Sequence, residues 1–417
     1  MMRHMQSALN PSHLPAGIRS RIIPGINGLD VHVLEAGFDT APGGASATRQ
    51  RPLLLLLHGF PELAYSWRKV MLPLAEAGYY VVAPDQRGYG RTRPANAAPD
   101  APWEVNYSDD LRPYALPNLV RDALGLVWAL GHTKTAAVIG HDFGSPVAAW
   151  CAVIRPDVFQ RVVMMSSPFA GTPAAPAPLT ATTIHATPSA STSNTPPAAT
   201  NIAAVLDQLA HLLRPRKHYQ WYYSTPEANA NMQHCEAGVH AFMRAYYHVK
   251  SADWQDNQPH RLAAWNASEM AKLPTYYVMD LAPGMAETVA PHMPSAAAIA
   301  ACKWLPDAEL AVYAEEYSRT GYQGGLQWYR CGTSGQFTAD LQTWAGRTID
   351  IPSMYIAGKS DWGVYQKPGD FETMQTRSCT RFTGAHLIDG AGHWVQQEQA
   401  AKTAALLLDF LHATALV

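Results

Sequence analysis

The chain has 417 residues, a formal net charge of −2, and a composition that is 47% hydrophobic and 15% charged. That length exceeds what one compact core usually fills, so a large domain carrying a substantial insertion, or two domains, is expected. A near-neutral charge without blocks of like sign gives no reason to expect nucleic acid or an anionic membrane as partner, and the longest strongly apolar run, 53–57, is too short to span a bilayer.

Taken in order, residues 1–10 contain no apolar run, so neither a secretory signal nor a transit peptide is expected. Stretches 18–23 and 29–36 alternate apolar and polar residues around Pro-Gly-Ile-Asn-Gly, the pattern of a β-hairpin. A loop is expected over 37–50. The uniformly apolar run 52–57 reads as a strand buried on both faces and leads into His58-Gly59-Phe60-Pro61-Glu62. A helix over 65–77 and a buried strand over 79–83 follow, then the loop Asp85-Gln86-Arg87-Gly88-Tyr89-Gly90. Residues 118–130 form an amphipathic helix closed by Gly131, 135–139 a strand, 144–154 a helix and 161–166 a strand. Such alternation predicts a parallel sheet with helices on both faces.

The character then changes. Residues 171–200 are almost entirely Ala, Pro, Thr and Ser and bury too little apolar surface to offset ordering entropy, which predicts a flexible linker. Residues 201–345 read as a helical, aromatic-rich cap without convincing buried strands. Over 346–417 the earlier alternation resumes, with strands at 353–357 and 386–389, a helix near Phe371 and a final helix over 396–411. The core is therefore expected in two parts, 1–170 and 346–417, with the cap over the carboxyl ends of its strands, where such sheets bind ligands.

The chemistry centres on Gly140-His141-Asp142-Phe143-Gly144, where an apolar strand stops at a glycine and a second glycine opens a helix. The glycines permit close approach of strand and helix, and Asp142 is held on a strained bend above a helix N-terminus. The spacing is that of the G-x-S-x-G nucleophile elbow, with aspartate in the serine position. Chain order in that arrangement is nucleophile, acid, histidine. Asp361 and His393 are the first suitable groups beyond the last two strands, whereas Asp350 precedes its strand and belongs to the opposite edge. A carboxylate is ionised at neutral pH and can displace a leaving group at saturated carbon, giving an ester that histidine-activated water then hydrolyses. The resulting oxyanion calls for the backbone N–H groups of Phe60 and Phe143. His141 is expected beside the nucleophile, with Glu62 and Arg87 as framework.

The five cysteines, Cys151, Cys235, Cys302, Cys331 and Cys379, show no CxxC pair and read as reduced thiols of a cytoplasmic protein. Among the 17 histidines, His211, His218, His234, His240 and His248 have no metal-ligand spacing, so no metal is expected.

His58-Gly59-Phe60-Pro61-Glu62 with Trp67-Arg68, Asp85-Gln86-Arg87-Gly88-Tyr89-Gly90, the Asp142 elbow and Gly392-His393-Trp394 together resemble the α/β-hydrolase-fold epoxide hydrolases. The resemblance implies a mostly parallel twisted sheet flanked by helices with an inserted helical lid, and a cis peptide before Pro61. It also implies two lid tyrosines that hydrogen-bond the epoxide oxygen. Within His218-Tyr219-Gln220-Trp221-Tyr222-Tyr223 and Gln327-Trp328-Tyr329-Arg330 it points to Tyr219 and Tyr329. Trp221, Tyr223, Trp328 and His141 are the expected substrate contacts. The implied reaction opens a hydrophobic epoxide to a vicinal diol with water and no cofactor, in a monomer or homodimer. A haloalkane dehalogenase would share the aspartate–histidine chemistry, but it usually carries a tryptophan after the nucleophile, where Phe143 stands here. A serine esterase lacks its elbow serine, and a non-catalytic ligand receptor on the same fold is the reading of a different class.

Overall fold

A computed structural model describes residues 8–38, 51–97, 103–175 and 202–414. Most of the expected loop over 37–50 and of the linker over 171–200 therefore lies outside the described residues, as does most of the 1–10 segment.

One sheet organises the molecule. Its strands are β1 (Ile18–Ile26), β2 (Leu29–Ala36), β3 (Leu53–Leu57), β4 (Tyr80–Pro84), the two-residue β5 (Arg93–Pro94), β6 (Ala137–His141), β7 (Val162–Met165), β10 (Ser353–Gly358) and β11 (Phe382–Ile388). The short strands β8 (Arg216–His218) and β9 (Val278–Asp280) stand apart from it. The spatial order is β1-β2-β4-β3-β6-β7-β10-β11, with β5 pairing with β2. β1 and β2 form the expected antiparallel hairpin, turning at Asn27-Gly28 where both residues take positive φ. From β4 to β11 all neighbours run parallel. Each residue of β3, β4, β6, β7 and β10 is buried, which explains why these strands read as unbroken apolar runs.

Helices α1 (Arg68–Glu76), α2 (Leu116–Ala129) and α3 (Gly144–Ile154) join successive strands, and the chain closes with a helix over Ala400–Ala413. Between β7 and β10 the described chain is mainly helical, including α4 (Ile202–Ala210), α5 (Gly238–Lys250), α6 (Asp307–Thr320) and α7 (Gln323–Ser334). The antiparallel pair β8–β9 adds two short strands to a region that read as helical without convincing buried strands. Its strands have three residues each, too short for a period-2 pattern to be visible.

Parallel strands point their carboxyl ends the same way. His58, Asp142, Ser166, Asp361 and His393 therefore all stand just beyond such ends, on one edge of the sheet, however far apart they are in sequence.

Candidate active site

Asp142 has φ 51°, a left-handed conformation disfavoured for a non-glycine residue, between the end of β6 and the start of α3. The flanking glycines make this bend possible. A Cβ on Gly140 would lie 2.0 Å from the Gly144 carbonyl oxygen, and one on Gly144 would lie 2.2 Å from that of Leu57. The Phe60–Pro61 peptide is cis.

The two carboxylate oxygens of Asp142 have separate partners. Oδ1 accepts the Phe60 N–H at 2.8 Å, and Oδ2 lies 3.1 Å from His393 Nε2. The other ring nitrogen, Nδ1, is 3.1 Å from Asp361 Oδ1, which also accepts the Gly363 N–H at 2.7 Å. Asp142, His393 and Asp361 thus form one connected line. The Phe143 N–H, at the N-cap of α3, makes no bond to the carboxylate in this state.

Burial by itself would raise the carboxyl of Asp142. The hydrogen bond and charge of His393, helped by Lys250 and His141, overcome it and hold the group well below the usual carboxylate range. Burial and the charge of Lys250 oppose protonation of His393, but Asp361 and Asp142 prevail and raise it to about 9. Asp361 is lowered as well: burial opposes its ionisation, and the adjacent imidazole outweighs it. The resting site is therefore an imidazolium held between two carboxylates.

A cleft of about 880 Å³ opens above Asp142, with Phe143, Pro146, Leu206, Trp221, Trp265, Tyr219 and Tyr329 among its walls. The rings of Tyr219 and Tyr329 are 5.9 Å apart, and Tyr329 packs edge-on against Phe60 and Phe143. The Tyr219 hydroxyl donates to Gln366 Oε1 at 3.2 Å and accepts from Gln220 Nε2 at 3.2 Å. The Tyr329 hydroxyl makes no hydrogen bond to protein among the described residues. Burial first, then the charge of Asp142, pushes both phenols well above their ordinary value, so both are protonated donors.

Of the four expected substrate contacts, Trp221 lines the cleft and the other three do not. Tyr223 is fully buried behind Tyr219 and bonds the Tyr246 hydroxyl at 3.2 Å. Trp328 turns into the core and donates its indole N–H to the Arg87 carbonyl at 3.0 Å. His141 lies beneath the site, with Nδ1 2.5 Å from the Glu62 carboxylate and Nε2 2.6 Å from the His393 carbonyl oxygen. Each side chain is held inward by a polar partner from another segment of the chain.

Glu62 also accepts the Gly59 N–H at 2.9 Å and the Gln396 amide at 2.8 Å, and Arg87 clasps Asp122, so both are framework residues. Sequence reasoning missed Gln366, Lys250 and Glu398. The Glu398 carboxylate accepts the amides of Ala252 (2.8 Å), Gly392 (2.9 Å) and Trp394 (3.0 Å), gripping the loop on both sides of His393. Burial outweighs these bonds and pushes it up to about 7. A carboxylate five residues beyond the histidine, at the end of the short helix Val395–Glu398, was the available signal. Among the described residues, no group of three or more His, Cys, Asp or Glu is arranged to hold a metal ion, and no helix is long and apolar enough to cross a membrane.

Residues 52–400 match the family model described as the alpha/beta hydrolase fold. The chain is 31% identical over 390 residues to epoxide hydrolase A of Mycobacterium tuberculosis, covering 92% of this chain and 95% of that protein. It is 30% identical over 386 residues to epoxide hydrolase B of the same organism, covering 87% and 92%. Among solved structures, an epoxide hydrolase from an endophytic Streptomyces superposes with a TM-score of 0.68 at 27% identity, covering 95% of this chain and 96% of that one. Epoxide hydrolase A from Mycobacterium thermoresistibile gives 0.66 at 28% identity, covering 96% and 100%.

Proposed function

This chain belongs to the epoxide hydrolases of the α/β-hydrolase fold, and from that premise we propose that it opens an epoxide to a vicinal diol through an ester of Asp142. One observation carries the reading: the two oxygens of Asp142 are divided between a backbone N–H and the catalytic imidazole, at the floor of a cleft walled by two phenols. Oδ1 rests against the Phe60 N–H, while Oδ2, paired with His393, is the oxygen that attacks.

In the first half-reaction Oδ2 displaces the epoxide oxygen at carbon, and Tyr329 and Tyr219 stabilise the developing alkoxide. The neutral ester no longer supports the charge on His393, whose proton is released to the new alcohol. That release follows from the lost charge, because the Asp142 anion had helped to raise the His393 ring. In the second half-reaction neutral His393 takes a proton from water, and the hydroxide adds to the ester carbonyl. The oxyanion on Oδ1 is met by the N–H of Phe60 and, as the carbonyl rehybridises, by that of Phe143. Collapse expels the diol oxygen, which takes the remaining proton. Asp142 is again a carboxylate and His393 an imidazolium, so the cycle closes without a net proton and without a cofactor.

The dehalogenase alternative needs donors aimed at a departing halide, and the side chains flanking the nucleophile, Phe60 and Phe143, carry none. Every group invoked comes from one chain, so a monomer suffices and a homodimer is compatible. The five cysteines are free thiols, which fits the cytoplasm. The test is repeated turnover of styrene oxide in oxygen-18 water, followed by mass analysis of the peptide bearing Asp142. Label should accumulate in that carboxylate. Label confined to the diol would mean that water attacks the epoxide directly, and would overturn the scheme.

A further inference from the structure

Lys250 is the last residue of α5 and is 3% exposed. A buried ammonium ordinarily sits beside a carboxylate, because losing water without a partner is costly. Among the described residues none forms an ion pair with Lys250. Its Nζ lies instead over four aromatic rings, 4.9 Å from the centre of Tyr277, 5.2 Å from Tyr246, 5.6 Å from Trp394 and 5.8 Å from Tyr276. Ring faces hold a cation without neutralising it, so its field reaches beyond the cage. His393 adjoins this cage. The Trp394 ring is 4.8 Å from the His393 ring, and the Lys250 carbonyl oxygen accepts the His393 N–H at 2.8 Å. A Cβ on Gly392 would lie 2.5 Å from that same carbonyl oxygen, so the lysine backbone also fixes the approach of the histidine loop.

We propose that Lys250 is a positioning residue whose caged positive charge keeps His393 neutral, and so able to accept a proton from water, once Asp142 has become an ester. This rests on the two-step reading above. Before alkylation two carboxylates, Asp142 and Asp361, flank the imidazole and hold its proton. After alkylation Asp361 remains and by itself would favour the imidazolium, which cannot act as a base. Lys250 opposes Asp361, and it already stands among the influences that lower His393 in the resting site.

Other titratable groups face the same ring. His141 lies 5.1 Å away with Glu62 behind it, and Glu398 grips the amides of Gly392 and Trp394. The phenols of Tyr246, Tyr276 and Tyr277 complete the surroundings of the lysine. Glu398, at about 7, is a second source of pH dependence near neutrality. A lysine-specific effect is therefore read by comparing variants that all retain Glu398.

The experiment follows formation and decay of the styrene oxide ester by stopped flow, from pH 5 to 10, in the wild type, Lys250→Met, Lys250→Gln and Lys250→Arg. Ester decay should rise with pH as His393 loses its proton. Both neutral variants should move that midpoint upward by about one pH unit, a like charge having been removed. Below the wild-type midpoint their decay should be about ten-fold slower, with convergence at high pH. Lys250→Arg should keep the wild-type midpoint. An unchanged midpoint in the neutral variants, or a loss equal at every pH, overturns the proposal and leaves Lys250 a packing residue. Failure of both neutral variants to fold has the same consequence. Absence of any ester in the wild type and in His393→Gln would instead defeat the two-step reading, which separates the two failures.

Discussion

Replacing each lid tyrosine by phenylalanine removes one oxygen and keeps the ring, and the structure predicts unequal costs. The Tyr329 hydroxyl has no protein partner among the described residues, so its whole hydrogen bond is available to the leaving oxygen. Removing a donor aimed at a developing oxyanion costs about 3 kcal/mol, or roughly 150-fold in rate. Tyr219 starts from a bond to Gln366 at 3.2 Å, which it must give up before it can serve the substrate. A neutral hydrogen bond is worth about 1 kcal/mol net, so the loss for Tyr219→Phe falls to about 2 kcal/mol, or roughly 30-fold. The assay is single-turnover fluorescence with enzyme in excess over styrene oxide, which resolves ester formation from ester decay. Both variants should slow formation and leave decay within about two-fold of the wild type. A larger loss for Tyr219→Phe than for Tyr329→Phe would refute the asymmetry. Slowed decay with normal formation would remove the phenols from ring opening altogether.

Three further outcomes follow from the same geometry. His393 is raised in the folded state, so its contribution to stability is complete below the unfolded imidazole value near 6.5 and is lost as pH climbs through about 9. Urea midpoints should therefore fall more between pH 6 and 10 in the wild type than in His393→Gln, and equal falls would contradict the ion pair. Gly59→Ala would place a Cβ 2.3 Å from the Asp142 Cβ, forcing the nucleophile aside, and displacement on the scale of 1 Å costs about 100-fold. Ester formation should show that loss, and a rate near wild type would mean that the carboxylate has room the structure does not give it. Leu55 lies fully buried in β3, paired with Val82 on one side and Val138 on the other, so Leu55→Ala should cost about 2–5 kcal/mol in chemical denaturation, and less than 1 kcal/mol would contradict a close-packed centre.

What was legible in the sequence is what short stretches of chain encode. Residues 53–57 read as a strand buried on both faces, and the glycines around Asp142 as a backbone crossing too close for side chains. Placing Asp361 and His393 needed nothing more than the rule that parallel strands end on one edge, since each residue follows its strand within a few positions. The tertiary structure decided which side chains face the cleft. Trp328 and Tyr329 are neighbours on one helix and point about 100° apart, so one must be core if the other is wall. The choice fell to the Arg87 carbonyl, 241 residues away in sequence. Tyr223 was drawn inward by Tyr246, His141 by Glu62, and Lys250 into a cage whose rings come from three separate segments. Periodicity within a segment shows that one face is buried, but the partners that turn a given polar atom inward come from elsewhere in the chain, and only the folded arrangement brings them together.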